Sequence, residues 1–180
     1  MPCMLNSPAS SIPPRTLIFV QAVDTEDPVF GFFVSWLVGF ARYGHAIVAA
    51  LRVGSGQELP TEIEVRSLRA RGASRWAVMR EVWHLSWSER KRYDSVFVRG
   101  DAIYLVVAGW LWRLLGKKVI FWYTHYRARS PLFWLGSLFA SEVVTAVPES
   151  NPLKRAIAIG HHIDLEPFRS QLRAKNPSED

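Results

Sequence analysis

The chain has 180 residues, 49% of them hydrophobic and 13% aromatic, with a net charge of +6. That suits one domain with a substantial core and favours acidic partners such as nucleic acid, phosphorylated ligands or an anionic membrane face. A single cysteine, Cys3, excludes an internal disulfide and any cysteine-rich metal site.

In chain order, residues 1–15 are rich in Pro and Ser and read as a disordered leader, with neither the charged start nor the apolar stretch of a secretory signal. Thr16 to Ala22 is a β-branched and aromatic run, the first strand. Asp27-Pro28 predicts a helix start, with Asp as N-cap and Pro at the first helical position. That helix is expected to run to about Tyr43 and to stop at Gly44. Ala46 to Val53 and Ile63 to Leu68 read as strands two and three. Ser74 caps a helix over Arg75 to Arg92, in which Trp76, Met79, Trp83 and Trp87 share one face, widened by Val78, Val82 and Leu85. The simplest expectation is that this face packs on a sheet. The alternative is that Trp83 and Trp87, with Arg90, Lys91 and Arg92, form a membrane-surface patch.

Asp94 to Val98 is strand four, followed by the polar corner Arg99-Gly-Asp101. Ile103 to Leu115 is a helix closed by Gly116, Val119 to Tyr123 is strand five, and a further helix starts at Ser130-Pro131. Glu142 to Val147 and Ala156 to Ile159 complete seven strands alternating with helices. This pattern predicts a doubly wound, Rossmann-like parallel α/β sheet with strands one, four and five at its centre. The apolar runs Pro28 to Ala41 and Ile103 to Leu115 fall short of the ~20 residues of a spanning helix. Residues 169–180 form a polar tail.

In such sheets ligands bind outside the carboxyl ends of the strands. This makes Asp24, Arg99, Asp101, His125 and Glu149, each just beyond a strand, the candidate site residues. Asp101 has a competing reading as a helix cap; Asp24 has no evident structural task. His161-His162-x-Asp164 suggests a metal cluster only superficially, because adjacent histidines on extended chain point to opposite sides. Gly54-Ser-Gly56 lacks the third glycine of a dinucleotide fingerprint, and there is neither a phosphate-binding loop nor a Gly-x-Ser-x-Gly elbow.

The segments Phe19-Val-Gln-Ala-Val-Asp24, Asp94-Ser-Val-Phe-Val98, Gly116-Lys-Lys-Val-Ile-Phe-Trp-Tyr-Thr-His125, Val144-Thr-Ala-Val-Pro-Glu-Ser150 and Ile159-Gly-His-His-Ile-Asp-Leu-Glu-Pro-Phe168 occur in an order that resembles the N-terminal domain of family 4 glycosyltransferases. The likeness runs from Thr16 to Phe168, with His162 where the family's Gly-x-Asp-x-x-x-Phe segment has glycine. It implies one half of a two-domain, retaining GT-B enzyme, with residues 16–168 as the acceptor-side domain and the interdomain hinge beginning in the tail. It places His125 beside the donor sugar and Gly31 near the donor diphosphate. The nucleotide sugar is then a substrate, and no cofactor or metal is expected. The partners implied are a donor-binding C-terminal half or separate chain and a glycan or lipid-linked acceptor. The location implied is cytoplasmic, peripheral at the inner face of the membrane. The family's Glu-x7-Glu spacing recurs in Glu81 to Glu89, but on the basic helix, where it reads as coincidence. The alternative functions are a non-catalytic module binding a phosphorylated glycan or lipid, or regulating a partner, and a nucleic-acid binder that charge alone would suggest.

Overall fold

The computed structural model describes residues 13–55, 58–124 and 130–160. The strands are β1 (Arg15–Val23), β2 (His45–Val53), β3 (Ile63–Ser67), β4 (Ser95–Arg99), β5 (Lys118–Trp122), β6 (Glu142–Thr145) and β7 (Ile157–Ala158). The helices are α1 (Phe33–Ala41), α2 (Arg75–Ser88), α3 (Ile103–Leu114) and α4 (Pro131–Ser137). All neighbouring strands pair in parallel, in the order β3-β2-β1-β4-β5-β6-β7. The expected central trio is therefore present, as is the doubly wound class.

The cause is legible in β1. Leu17, Ile18, Phe19 and Val20 are all essentially buried, so the strand is covered on both faces. Alternation divides the core in two. Leu17, Phe19, Val96, Val98, Val119 and Phe121 point to one face, where α2, α3 and α4 supply Val82, Leu85, Leu105, Trp112 and Phe133. Ile18, Val20, Val48, Phe97 and Trp122 point to the other, where α1 supplies Phe33, Val34 and Leu37.

Three expectations are corrected. The first helix starts at Phe33, not Pro28. Asp27 does act as a cap, its Oδ1 accepting from the N–H groups of Val29 (2.9 Å) and Phe30 (2.8 Å). The segment it caps is a set of tight turns, in which the Phe33 and Val34 N–H groups donate three residues back, to Phe30 and Gly31. The bonds from the Phe30 and Val29 N–H groups, with the Arg52 charge at 2.6 Å, hold the Asp27 carboxyl below its usual range. The second correction is the end of α2. It closes at Ser88, so Arg90, Lys91 and Arg92 lie in the following turn.

The third is its face. Val82 and Leu85 are buried, whereas Trp76 is 78% exposed, Trp83 42% and Trp87 44%. At about 100° per residue, the row 76, 79, 83, 87 lies nearly opposite the row 81, 82, 85. The sheet takes the second row and leaves the tryptophans outside. The cap at Ser74 forms as expected, accepting from the Ala77 N–H (3.2 Å), and Ser130, at the expected helix start, caps α4 by accepting from the Leu132 N–H (3.3 Å). Strand seven shrinks to two residues, and the segment after Pro148 is a single 3-10 turn, Pro148–Ser150.

Candidate functional site at the carboxyl edge

The sheet reverses its direction of growth between β1 and β4. From β1 the chain crosses under α1 to β2; from β4 it crosses through α3, on the opposite face, to β5. The chain leaves the two strands toward opposite faces, and the carboxyl ends between them are the usual ligand position in an open parallel sheet.

Arg99 ends β4 on the α1 side, two residues beyond Phe97 on the same face. Its guanidinium carbon lies 5.2, 5.0 and 5.4 Å from the ring centres of Phe30, Phe32 and Phe33. No carboxylate pairs with it among the described residues, and its buried Nε has no hydrogen-bond partner there. Burial pulls the guanidinium below the ordinary arginine value, yet an arginine stays a cation at neutral pH. Arg99 is half-buried, so the cation–π contact, at most about 2 kcal/mol, stands against part of what removing an ion from water costs. The cage orients the charge without neutralising it. Phe30, Phe32 and Phe33 are thus partly spent on Arg99, and Trp36 packs edge-on against Trp122 at 5.0 Å.

Gly100 lets the β4 loop turn away. Its φ is +85°, and a Cβ there would sit 2.8 Å from the Gln21 amide nitrogen. Gln21 is the polar residue in the apolar run Leu17–Val23, and its Oε1 is buried without a partner among the described residues. Gly100→Ala is expected to destabilise the fold by about 1–2 kcal/mol, the cost of a left-handed conformation for an L residue. Urea denaturation measures it; an unchanged midpoint would mean the loop relaxes freely.

The other expected site residues divide. Asp24 has a structural task after all: its Oδ1 accepts from the Glu26 N–H (3.0 Å), and it packs so closely on Gly54 that a Cβ there would fall 2.5 Å from its Cγ. Asp101 is exposed and faces the α3 side, with Oδ1 accepting from the Ile103 N–H at 3.0 Å; α3 itself begins one residue later than an Asp101 cap would place it. Glu149 is exposed on the 3-10 turn after β6. Gly31 is required by its own loop, since a Cβ would meet the carbonyl oxygens of Asp27 and Thr25 at 2.7 and 2.8 Å. Arg99 and Asp101 thus flank one strand end on opposite sides of the sheet. His125, His161, His162, Asp164, residues 1–12 of the leader and the tail 169–180 lie outside the described residues, whereas Arg15, expected in the leader, opens β1; the chain is described up to Thr124, directly before His125. Among the described residues there is no group of three or more His, Cys, Asp or Glu placed to hold a metal ion.

No protein-family model matches the chain, and no curated protein does. Solved structures do. Anabaena Alr3699/HepE in complex with UDP matches with a TM-score of 0.58 at 12% identity, over 91% of this chain and 50% of that one. Acinetobacter baumannii MurG matches with 0.53 at 14%, over 84% and 47%. UDP-GlcNAc 2-epimerase from Neisseria meningitidis bound to UDP-GlcNAc matches with 0.53 at 12%, over 92% and 54%. This chain has the fold of one half of a GT-B enzyme. It spans about half the length of each of these structures, and at such identities the likeness is one of fold.

In this GT-B half the outer surface of α2 carries a second feature. Trp83 and Trp87 stack with ring centres 6.1 Å apart at 10°, and the Arg90 guanidinium lies 4.3 Å from the Trp87 ring. Lys91 is exposed. Arg92 differs from its expected role as free charge: it bonds Glu64 (2.6 Å) and Glu89 (2.8 Å), tying α2 to the edge strand β3. Glu81, the other member of the glutamate spacing, is buried and pairs with Arg71 at 3.4 Å, which accounts for both glutamates structurally. Among the described residues no helix is long and apolar enough to cross a membrane. Sequence reading missed Gln21 and Tyr104. A lone polar side chain inside an apolar strand was the available signal for Gln21; Tyr104 offered none.

Proposed function

We propose that this chain is the acceptor-side half of a retaining, nucleotide-sugar-dependent glycosyltransferase of the family 4 type, acting on a glycan or lipid-linked acceptor. The observation that carries the reading is Arg99, a caged cation with no carboxylate partner among the described residues, at the carboxyl ends of β1 and β4. A phosphate or carboxylate is the group such a guanidinium binds best. Glycosyl transfer breaks the bond between the anomeric carbon and a nucleoside diphosphate, and charge grows on the departing oxygen. Preorganised donors aimed at that charge lower the barrier. In this reading Arg99 and Glu149 belong to the acceptor rim, Asp24 shapes the loop beside it, Asp101 serves the opposite side of the same edge, His125 lies beside the donor sugar and Gly31 lies near the diphosphate. The remaining donor contacts come from a second half, a C-terminal domain or a separate chain. That the fold matches only about half of each neighbour supports this need. The reading requires no metal, and it places the protein in the cytoplasm at the inner face of the membrane.

The test is reconstitution with a donor-binding GT-B half, following release of UDP from UDP-glucose and UDP-GlcNAc. These donors come first because neighbours were solved with UDP or UDP-GlcNAc bound. Acceptor-dependent release only when both halves are present supports the proposal. A chain that binds phosphorylated glycans but completes no transferase favours the non-catalytic module.

The exposed, stacked Trp83 and Trp87 with Arg90 favour a membrane-surface role for α2. Each basic residue near an anionic surface contributes about 1 kcal/mol. With Arg92 engaged by two carboxylates, Arg90 and Lys91 give weak, salt-sensitive attachment. The protein is expected to co-sediment with anionic but not neutral vesicles and to be released by salt. Replacing Arg90 and Lys91 by Gln should abolish the effect. Equal binding to both vesicle types, or to neither, removes this role.

A further inference from the structure

A hollow of about 220 Å³ opens at the same carboxyl edge, on the opposite side of the sheet from Arg99, between α2 and α3. Its walls are apolar, from Leu51, Val78, Met79 and Val107, and its rim carries Arg69, Arg75 and Asp101. Two cations against one carboxylate leave the rim net positive. Tyr104, in the first turn of α3, is only 2% exposed, and its hydroxyl has no hydrogen-bond partner among the described residues. A buried hydroxyl left without a partner costs stability, so its presence beside a hollow points to an occupant. Burial, then the Asp101 charge, pushes this phenol above its ordinary value, partly opposed by Arg69. The hydroxyl is therefore a proton donor at neutral pH, near the rim charges. The hollow is smaller than the ~300–1,000 Å³ of a pocket that takes a whole ligand, so it accommodates one moiety of a larger molecule.

We propose that this hollow is a binding subsite for an anionic amphiphile of the alkyl-phosphate class. Its apolar stem lies between Val78, Met79 and Val107, its phosphate meets Arg69 and Arg75, and the Tyr104 hydroxyl donates to one of its oxygens. The inference deepens the acceptor-side reading and rests on it only for the ligand's role as an acceptor.

The experiment is calorimetric titration of the full chain with decyl phosphate below its micelle concentration, against inorganic phosphate and decanol. Decyl phosphate is expected to bind at least about tenfold more tightly than either control, as loss of a charge-assisted contact or of the apolar stem predicts. Arg69→Gln should weaken binding about tenfold, and Met79→Trp, which fills the hollow, should abolish it. Tyr104→Phe should weaken binding while leaving the melting temperature unchanged or raised, a combination that a hydroxyl with an internal partner would not produce. Equal binding of decyl phosphate and decanol would overturn the anionic part. Undetectable binding, or binding that survives Met79→Trp, would overturn the site. No nucleotide sugar and no second half are present in this titration. Binding by a chain that fails in the reconstituted transferase sinks the transferase reading alone; a working transferase that ignores decyl phosphate sinks the subsite alone.

Discussion

Arg99→Met is expected to lower turnover in the reconstituted enzyme by about 10²–10³, the usual consequence of losing one preorganised charged contact, while the melting temperature stays level or rises. The two halves of that expectation come from one geometry. The guanidinium sits among Phe30, Phe32 and Phe33 with no carboxylate beside it among the described residues, and its Nε is buried without a partner. Arg99 is half-buried, so it has lost only part of its hydration and recovers at most about 2 kcal/mol from the rings. Met keeps much of the volume and removes the charge, so the folded state has little to lose. A structural plug would behave differently: the variant would melt earlier and turn over normally. Thermal denaturation and the transfer assay, run on the same preparation, separate the two outcomes.

His125→Ala is the second. It should reduce turnover by about 10²–10³ in the reconstituted enzyme, with the urea midpoint of the isolated chain unchanged. The motivation is position. β5 pairs with β4 in parallel, Arg99 opposite Trp122, so the chain leaving β5 emerges at the same edge as the caged arginine. Tyr123, the first residue past β5, has its backbone oxygen held by the Asn151 side chain at 3.3 Å, which ties that exit to the loop after β6. His125 follows two residues later. The resemblance to family 4 enzymes puts a histidine beside the donor sugar at this point of the chain, and its loss should affect the transition state more than folding. Wild-type turnover in the variant would reduce the histidine to a loop residue.

The outer face of α2 and the loops at the carboxyl edge show where reading the chain succeeds and where it stops. Caps were legible because they are local: Asp27, Ser74 and Ser130 each bond an N–H two or three residues away. The start of α1 was not, because Pro28 and Asp27 are compatible with both a helix and a set of turns. The choice falls to the Phe side chains that close over Arg99, a residue far along the chain. The tryptophan row of α2 is periodic, and periodicity says which residues share a face. It does not say which face the sheet will claim when Val82 and Leu85 compete for it on the far side. Arg92 likewise reads as free surface charge until β3 brings Glu64 beside it.

The sequence alone determined the parallel sheet, its central trio of strands and the edge at which polar loops gather. All three follow from short-range patterns: continuous apolar runs that need cover on both faces, helices between them, and polar residues where each run ends. Only the tertiary structure decided that Arg99 is caged by three rings with no carboxylate beside it among the described residues, that Asp24 is spent on a turn and on Gly54, and that the Tyr104 hydroxyl, without a partner among those residues, lies beside a hollow. Each of these depends on which groups from distant segments arrive within a few ångströms. Burial then sets the consequence, because the same charge or hydroxyl that is inconspicuous in water becomes costly, and chemically directed, once its surroundings can no longer solvate it.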